Sequence, residues 1–125
     1  MAKNRKRNYE QNIVIALQKL PNPLEDKNHY LFIYFNNDRA RSNETRFEHA
    51  ANIDHRLTVN DIERIPRLIT KSKMRIDKSR RKTYNIYLRR FSYRRNEFIQ
   101  ISVRIEPDNP KAAYLKTIQI SCKMK

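Results

Sequence analysis

The stretch TRFEHAANIDH, residues 45–55, holds two of the three histidines in this chain of 125 residues. Imidazole exchanges protons near neutral pH, so His49 and His55 are the first groups to weigh for acid–base chemistry. Thr45 and Glu48 form the T-x-x-E pattern of a capping box, in which a hydroxyl and a carboxylate each satisfy an orphan backbone N–H. The spacing therefore predicts a short helix over residues 46–54. At about 100° per residue, Phe47, Ala50, Ala51, Ile53 and Asp54 fill a buried arc, and the histidines fall on its opposite borders, about 120° apart. Such a pair cannot chelate one ion in the i, i+4 manner of helical zinc sites, and no metal is expected. His49 lies in the first turn, where unpaired backbone N–H groups favour anions. His55 reads as a polar residue at the helix end. His29 opens the aromatic run HYLFIYF and reads as structural, and Cys122 has no histidine arranged to activate it.

A second set of polar groups emerges from strand periodicity. Residues 83–90 (TYNIYLRR), 98–105 (FIQISVRI) and 113–121 (AYLKTIQIS) alternate with period two, and a weaker strand is expected at 73–77. Side chains of a strand alternate between faces. Ile99, Ile101, Val103 and Ile105 thus share an apolar face with Tyr84, Ile86, Leu88, Ile118 and Ile120. The opposite face carries Tyr87, Arg89, Arg104 and Thr117 among other polar residues, two arginines and hydroxyls that can cradle a phosphodiester. An outer face that is merely solvated is the ordinary fate of an antiparallel sheet.

The remaining elements must position these faces. Residues 1–8 read as a basic flexible tail, and a first helix is expected over residues 9–20, stopped by Pro21 and Pro23. Residues 29–35 read as a buried strand and 36–43 as a polar loop. Thr58 and Asp61 open another helix, with Ile62, Ile65, Leu68 and Ile69 on one face and Pro66 expected to kink or divide it. Reversals fall at residues 93–97 and 106–110, with Asp and Asn as turn formers in a chain without glycine. The expected fold is α+β: N-terminal helices packed on one face of a C-terminal antiparallel sheet of about four strands, one domain over residues 9–125.

Composition bounds the function. A net charge of +15 favours a polyanionic partner, nucleic acid first. Residues 64–95 contain thirteen Lys and Arg against one acid, Asp77. Within and beside this run Arg80, Arg81, Lys82, Tyr84, Arg90, Arg94 and Arg95 combine phosphate-neutralising cations with a ring for base stacking, and form the expected nucleic-acid-binding set. The absence of glycine excludes P-loop and dinucleotide-binding functions, whose phosphate loops need residues without a Cβ. One cysteine excludes an internal disulfide and a zinc finger. No apolar run approaches the roughly 18 residues of a membrane span, and IVIAL at residues 13–17 is too short for a signal-peptide core. A cytoplasmic protein with no membrane contact and no cofactor is expected.

The histidine helix, the phrase LTVNDIERIPRLI, the basic strand TYNIYLRR, the strand FIQISVRIEPDNP and the final KTIQIS together resemble the small nuclease domains of the barnase, EndoU, colicin D and RelE-like superfamily, in the form attached to phage and mobile-element proteins. The likeness spans residues 45–121. It implies metal-independent RNA cleavage on the exposed sheet face by 2′-hydroxyl transesterification, in a protein that can act as a toxin held by an acidic antitoxin or immunity protein. His49 would then be the acid or base, Arg89 and Arg104 the phosphate clamp, and Thr117 and Tyr87 orienting or proton-donating groups. Two other functions accommodate the same residues: a non-catalytic RNA- or DNA-binding module of a mobile element, and a basic protein-interaction subunit.

Overall fold

The computed structural model describes residues 2–41, 43–90 and 96–124, with side chains from Arg7 onward. Helix α1 runs Ala2–Gln18, longer than expected, because residues 2–8 continue the helix instead of forming a separate tail. Nothing in that stretch breaks a helix, since Ala, Lys and Arg propagate one and the first proline is Pro21. Ile13, Ala16 and Leu17, at helical spacing, are buried. The Tyr9 hydroxyl donates to the Leu57 carbonyl and so ties α1 to the segment between the next two helices.

Four short strands come next: β1 (Leu24–Asp26), β2 (Leu31–Tyr34), β3 (Arg39–Arg41) and β4 (Glu44–Thr45). Helix α2 (Arg46–Ala50) opens on the expected capping box, with Glu48 N–H donating to Thr45 Oγ1 at 3.2 Å and Thr45 N–H to Glu48 Oε1 at 3.1 Å. It stops four residues before the expected end. Asn52 caps a separate 3-10 turn, Ile53–His55, its Oδ1 accepting from Asp54 N–H at 2.9 Å, and Arg56 leaves that turn in the left-handed region at φ 61°. Helix α3 (Val59–Leu68) opens on Thr58 and Asp61, again a full capping box. Pro66 lies inside it without ending it. The helix persists for two residues more and tightens into a 3-10 turn at Ile69–Lys71.

Strands β5 (Lys73–Ile76), β6 (Thr83–Arg89), β7 (Phe98–Glu106) and β8 (Asn109–Ser121) follow. The fold is α+β, with three helices in the N-terminal part and a curled mixed sheet of six strands. The order is β1-β2-β8-β7-β6-β5, with β3 and β4 forming a separate hairpin. The expected antiparallel set β5 to β8 is its heart. The two added strands join at β8, where β2 runs parallel to it through Phe32–Ala112, Ile33–Ala113 and Tyr34–Tyr114. A parallel partner so distant in sequence leaves no hairpin signal. The β7–β8 reversal falls where expected, Glu106 pairing with Asn109, whereas most of the β6–β7 reversal lies outside the described residues. Among the described residues left-handed backbone is adopted by Tyr30, Arg56, Lys82 and Asn96, the last within the expected β6–β7 reversal.

Pairing sorts the sheet into rows. On the face toward the helices, Leu88–Ile99–Ile120 and Ile86–Ile101–Ile118 are buried with Phe47, Ala50, Ile62 and Ile65. On the other face lie Arg89–Phe98–Ser121, Tyr87–Gln100–Gln119, Asn85–Ser102–Thr117 and Thr83–Arg104–Tyr114. The middle of this second face is closed, contrary to the open polar surface expected. Tyr87 is 1% exposed, Asn85 2%, Ser102 4% and Gln100 7%. Ser102 Oγ donates to Asn85 Oδ1 at 2.6 Å, Gln100 Nε2 donates to Ser102 Oγ at 3.3 Å, and Tyr87 packs edge-on against Phe98.

Candidate active site on the edge of strand β8

His49 and His55 are in contact. Their ring centroids lie 5.1 Å apart, edge to face, so the separation deduced from a continuous helix is corrected. The wheel failed because α2 ends at Ala50 and the 3-10 turn folds His55 back beside His49. His49 Nδ1 lies 2.7 Å from Glu44 Oε1 at the end of the β3–β4 hairpin. A carboxylate there favours the tautomer with Nδ1 protonated and leaves Nε2 with a lone pair. Glu44 is itself steered by Arg41, 3.7 Å away.

His55 sits deeper. Burial, and then the neighbouring His49, hold its pKa below the usual imidazole value, against the opposing pull of the Ala50 and Ile118 carbonyls and of Asp54. Its Nδ1 is buried and reaches no hydrogen-bond partner among the described residues; the same is true of Thr117 Oγ1. A buried polar atom left unpaired costs about 1–3 kcal/mol.

Cations collect one step along the same strand. Past Tyr114, β8 pairs with β7 on one side only, since β2 reaches just Ala112 to Tyr114. Arg46, one turn before His49 on α2, donates from Nη1 to the Lys116 carbonyl at 3.2 Å and from Nε to Asp38 Oδ1 at 3.0 Å. Lys116 occupies a bulge: Ser102 pairs with Thr117 and Val103 with Leu115, so Lys116 is the extra residue. Burial, followed by Arg46, Arg104 and Arg80, holds the Lys116 ammonium below its ordinary pKa, with Asp38 opposing. Arg46, Arg104 and Arg80 thus stand near enough to Lys116 to act on its charge, and Arg46 ties this stretch of β8 to the helix that carries His49. Among the described residues no cluster of His, Cys, Asp and Glu is arranged to hold a metal ion.

The residues singled out from sequence therefore divide. His49, Thr117 and Arg104 lie at or near this stretch. Arg89 does not: in the β6–β7 register Arg89 pairs with Phe98 and Thr83 with Arg104, so the two arginines stand at opposite ends of the strand pair, about 20 Å apart at strand rise, and cannot clamp one phosphate. Tyr87 is buried in the closed middle of the face. Tyr84 lies on the opposite, apolar face and packs against the core. Arg90 is held by Asp61 at 2.9 Å and Glu97 at 2.6 Å; burial disfavours its charge, but these two carboxylates outweigh that and raise its pKa. It is a structural brace, not a phosphate ligand. Arg80, Arg81 and Lys82 are exposed in the β5–β6 turn, and Arg94 and Arg95 lie outside the described residues. His29 pairs with buried Asp26 at 2.8 Å.

Glu44, Arg46, Lys116 and the pairing of His55 were not anticipated. Two signals existed. Asn52 can cap a new turn, which breaks the wheel between the histidines. The apolar positions Ala113, Leu115, Ile118 and Ile120 change phase after Leu115, the mark of an inserted residue. Comparison with protein-family models, curated proteins and solved structures finds no match to this chain.

Proposed function

We propose that this chain is a metal-independent endoribonuclease whose active site lies along the free edge of β8 instead of the middle of the sheet face. The observation that carries the reading is the contact of His49, oriented by Glu44, with His55, His49 lying one turn after the Arg46 that reaches the Lys116 carbonyl at the edge of β8. Cleavage by transesterification needs a base for the 2′-hydroxyl proton, positive charge for the phosphorane and an acid for the leaving 5′-oxygen. His49 Nε2 removes the 2′-proton, the 2′-oxygen bonds to phosphorus as the bond from phosphorus to the 5′-oxygen breaks, and the 5′-oxygen takes a proton from solvent water that the His49 imidazolium then restores, leaving a 2′,3′-cyclic phosphate and a 5′-hydroxyl. Lys116, Arg46 and Arg104 take the developing charge, Arg46 exchanging Asp38 for the phosphate. Thr117 Oγ1 supplies a hydrogen bond to the reacting group. An acidic antitoxin or immunity protein, as the family likeness suggests, fits over the same cations.

The test is cleavage of RNA in EDTA. Wild-type protein is expected to cut RNA, leave cyclic phosphate ends and spare a strand whose cut site lacks the 2′-hydroxyl. His49→Ala should lose about a hundredfold or more, the usual worth of a general acid or base. Thr117→Val should lose activity without losing stability, since it removes an unpaired hydroxyl. Cleavage that stops in EDTA, or is equal in His49→Ala, overturns the site. The closed middle of the sheet face favours a second reading, a module that binds nucleic acid without cutting it, and complete absence of cleavage in this assay selects it.

A further inference from the structure

The row of the outer face nearest the cations contains rings that the proposed chemistry does not use. Tyr34 pairs with Tyr114 across β2 and β8, and Tyr114 with Arg104 across β8 and β7, so the three side chains point to one face in a line. The two tyrosine rings stack, with centroids 5.5 Å apart and planes 24° apart, and both are half-buried. Phe32, two residues before Tyr34 on the same face of β2, is 40% exposed. Two residues along a strand is about 7 Å. Arg104 is exposed beside Tyr114, and Arg104 and Arg80 both stand near enough to Lys116 to act on its charge.

We infer that Phe32, Tyr34 and Tyr114 form a stacking platform for unpaired RNA bases, with Arg104, Lys116 and Arg80 holding the phosphates of the same strand. This rests on the ribonuclease reading and names its substrate class: single-stranded RNA, not duplex. Base faces are available for stacking only where the strand is unpaired, and in a duplex they are hidden. Rings some 5–7 Å apart suit splayed nucleotides, and cations alongside track the backbone. Tyr114 is two residues before Lys116 on β8, so a strand lying on the platform reaches the edge of β8 where Arg46 holds the Lys116 carbonyl.

The experiment uses wild-type protein and a labelled 2′-O-methyl oligoribonucleotide, which has no free 2′-hydroxyl and is not cut. Fluorescence anisotropy is measured for the single strand and for the same sequence as a duplex. The single strand is expected to bind at least tenfold more tightly. The double variant Tyr34→Leu with Tyr114→Leu, which keeps apolar area, should weaken single-strand binding about tenfold, the scale of lost base–aromatic stacking. The double change to Phe should bind like wild type. Duplex binding as tight as the single strand, or a Leu double variant that folds and binds like wild type, overturns the inference; the wild-type comparison decides it even if the variants do not fold. Single-strand preference without cleavage of unmodified RNA removes the nuclease reading alone. Cleavage without that preference removes the platform alone.

Discussion

His55 is the residue whose role changed most between the one-dimensional and the folded view. Burial and its neighbour His49 depress its pKa, so the folded chain prefers it neutral. The unfolded chain takes up the proton first, near the ordinary histidine value of about 6.5. Stability contributed by neutral His55 is therefore complete above that pH and is lost as the pH falls toward the lower folded value. A denaturant series at pH 7.5, 6.5 and 5.5 should show wild type losing more stability on acidification than His55→Phe. The difference must stay below about 1.4 kcal/mol per pH unit, the limit for one proton, and falls short of it because the ring is only partly shielded. Parallel curves for the two proteins refute a buried neutral imidazole. At this scale His49 draws notice as an imidazole in a first helical turn, and Thr117 only through strand alternation. Their company was not legible: Glu44 joins His49 through a hairpin, and Lys116 joins Arg46 through a bulge, neither of which follows from counting along one helix or strand.

Elements were read with more success where their signal was local. Both capping boxes are present, the periodic strands 83–90, 98–105 and 113–121 became β6, β7 and β8, and the helix of residues 59–68 survives its proline. What escaped was anything decided by distant partners: β2 against β8, and Arg90 against Asp61 and Glu97. That ion triad fastens α3 to the end of β6 and the start of β7. Glu97 also has Arg56 at 3.9 Å, which brings in the segment after the 3-10 turn. Removing one member of a largely buried pair strands the other charges. Arg90→Met should cost about 3 kcal/mol in chemical denaturation, because Asp61 and Glu97 both lose their main counter-charge. Arg90→Lys should not restore it, since an ammonium cannot span two carboxylates as a guanidinium does. RNA affinity of either folded variant should stay close to wild type; a large loss of affinity with unchanged stability would return Arg90 to the binding surface.

At the scale of the molecule, charge does two things. A net +15 draws any polyanion, but only cations gathered on one surface make contacts that release counterions. If Arg46, Arg80, Arg104 and Lys116 each meet a phosphate, the logarithm of the binding constant should fall with the logarithm of salt at a slope of about −3, or roughly thirtyfold for a threefold rise in salt. A slope near zero in a titration from low to moderate salt would argue for a partner other than nucleic acid. The free side of β8 has one more consequence. An unpaired strand edge is a template on which a second chain can extend the sheet, the first step of misassembly. Here Arg46 occupies the Lys116 carbonyl, and the Ile118 carbonyl faces His55. The residues proposed for chemistry thus also cover acceptors that an added strand would need, so one set of side chains bears on both the proposed site and the exposed edge.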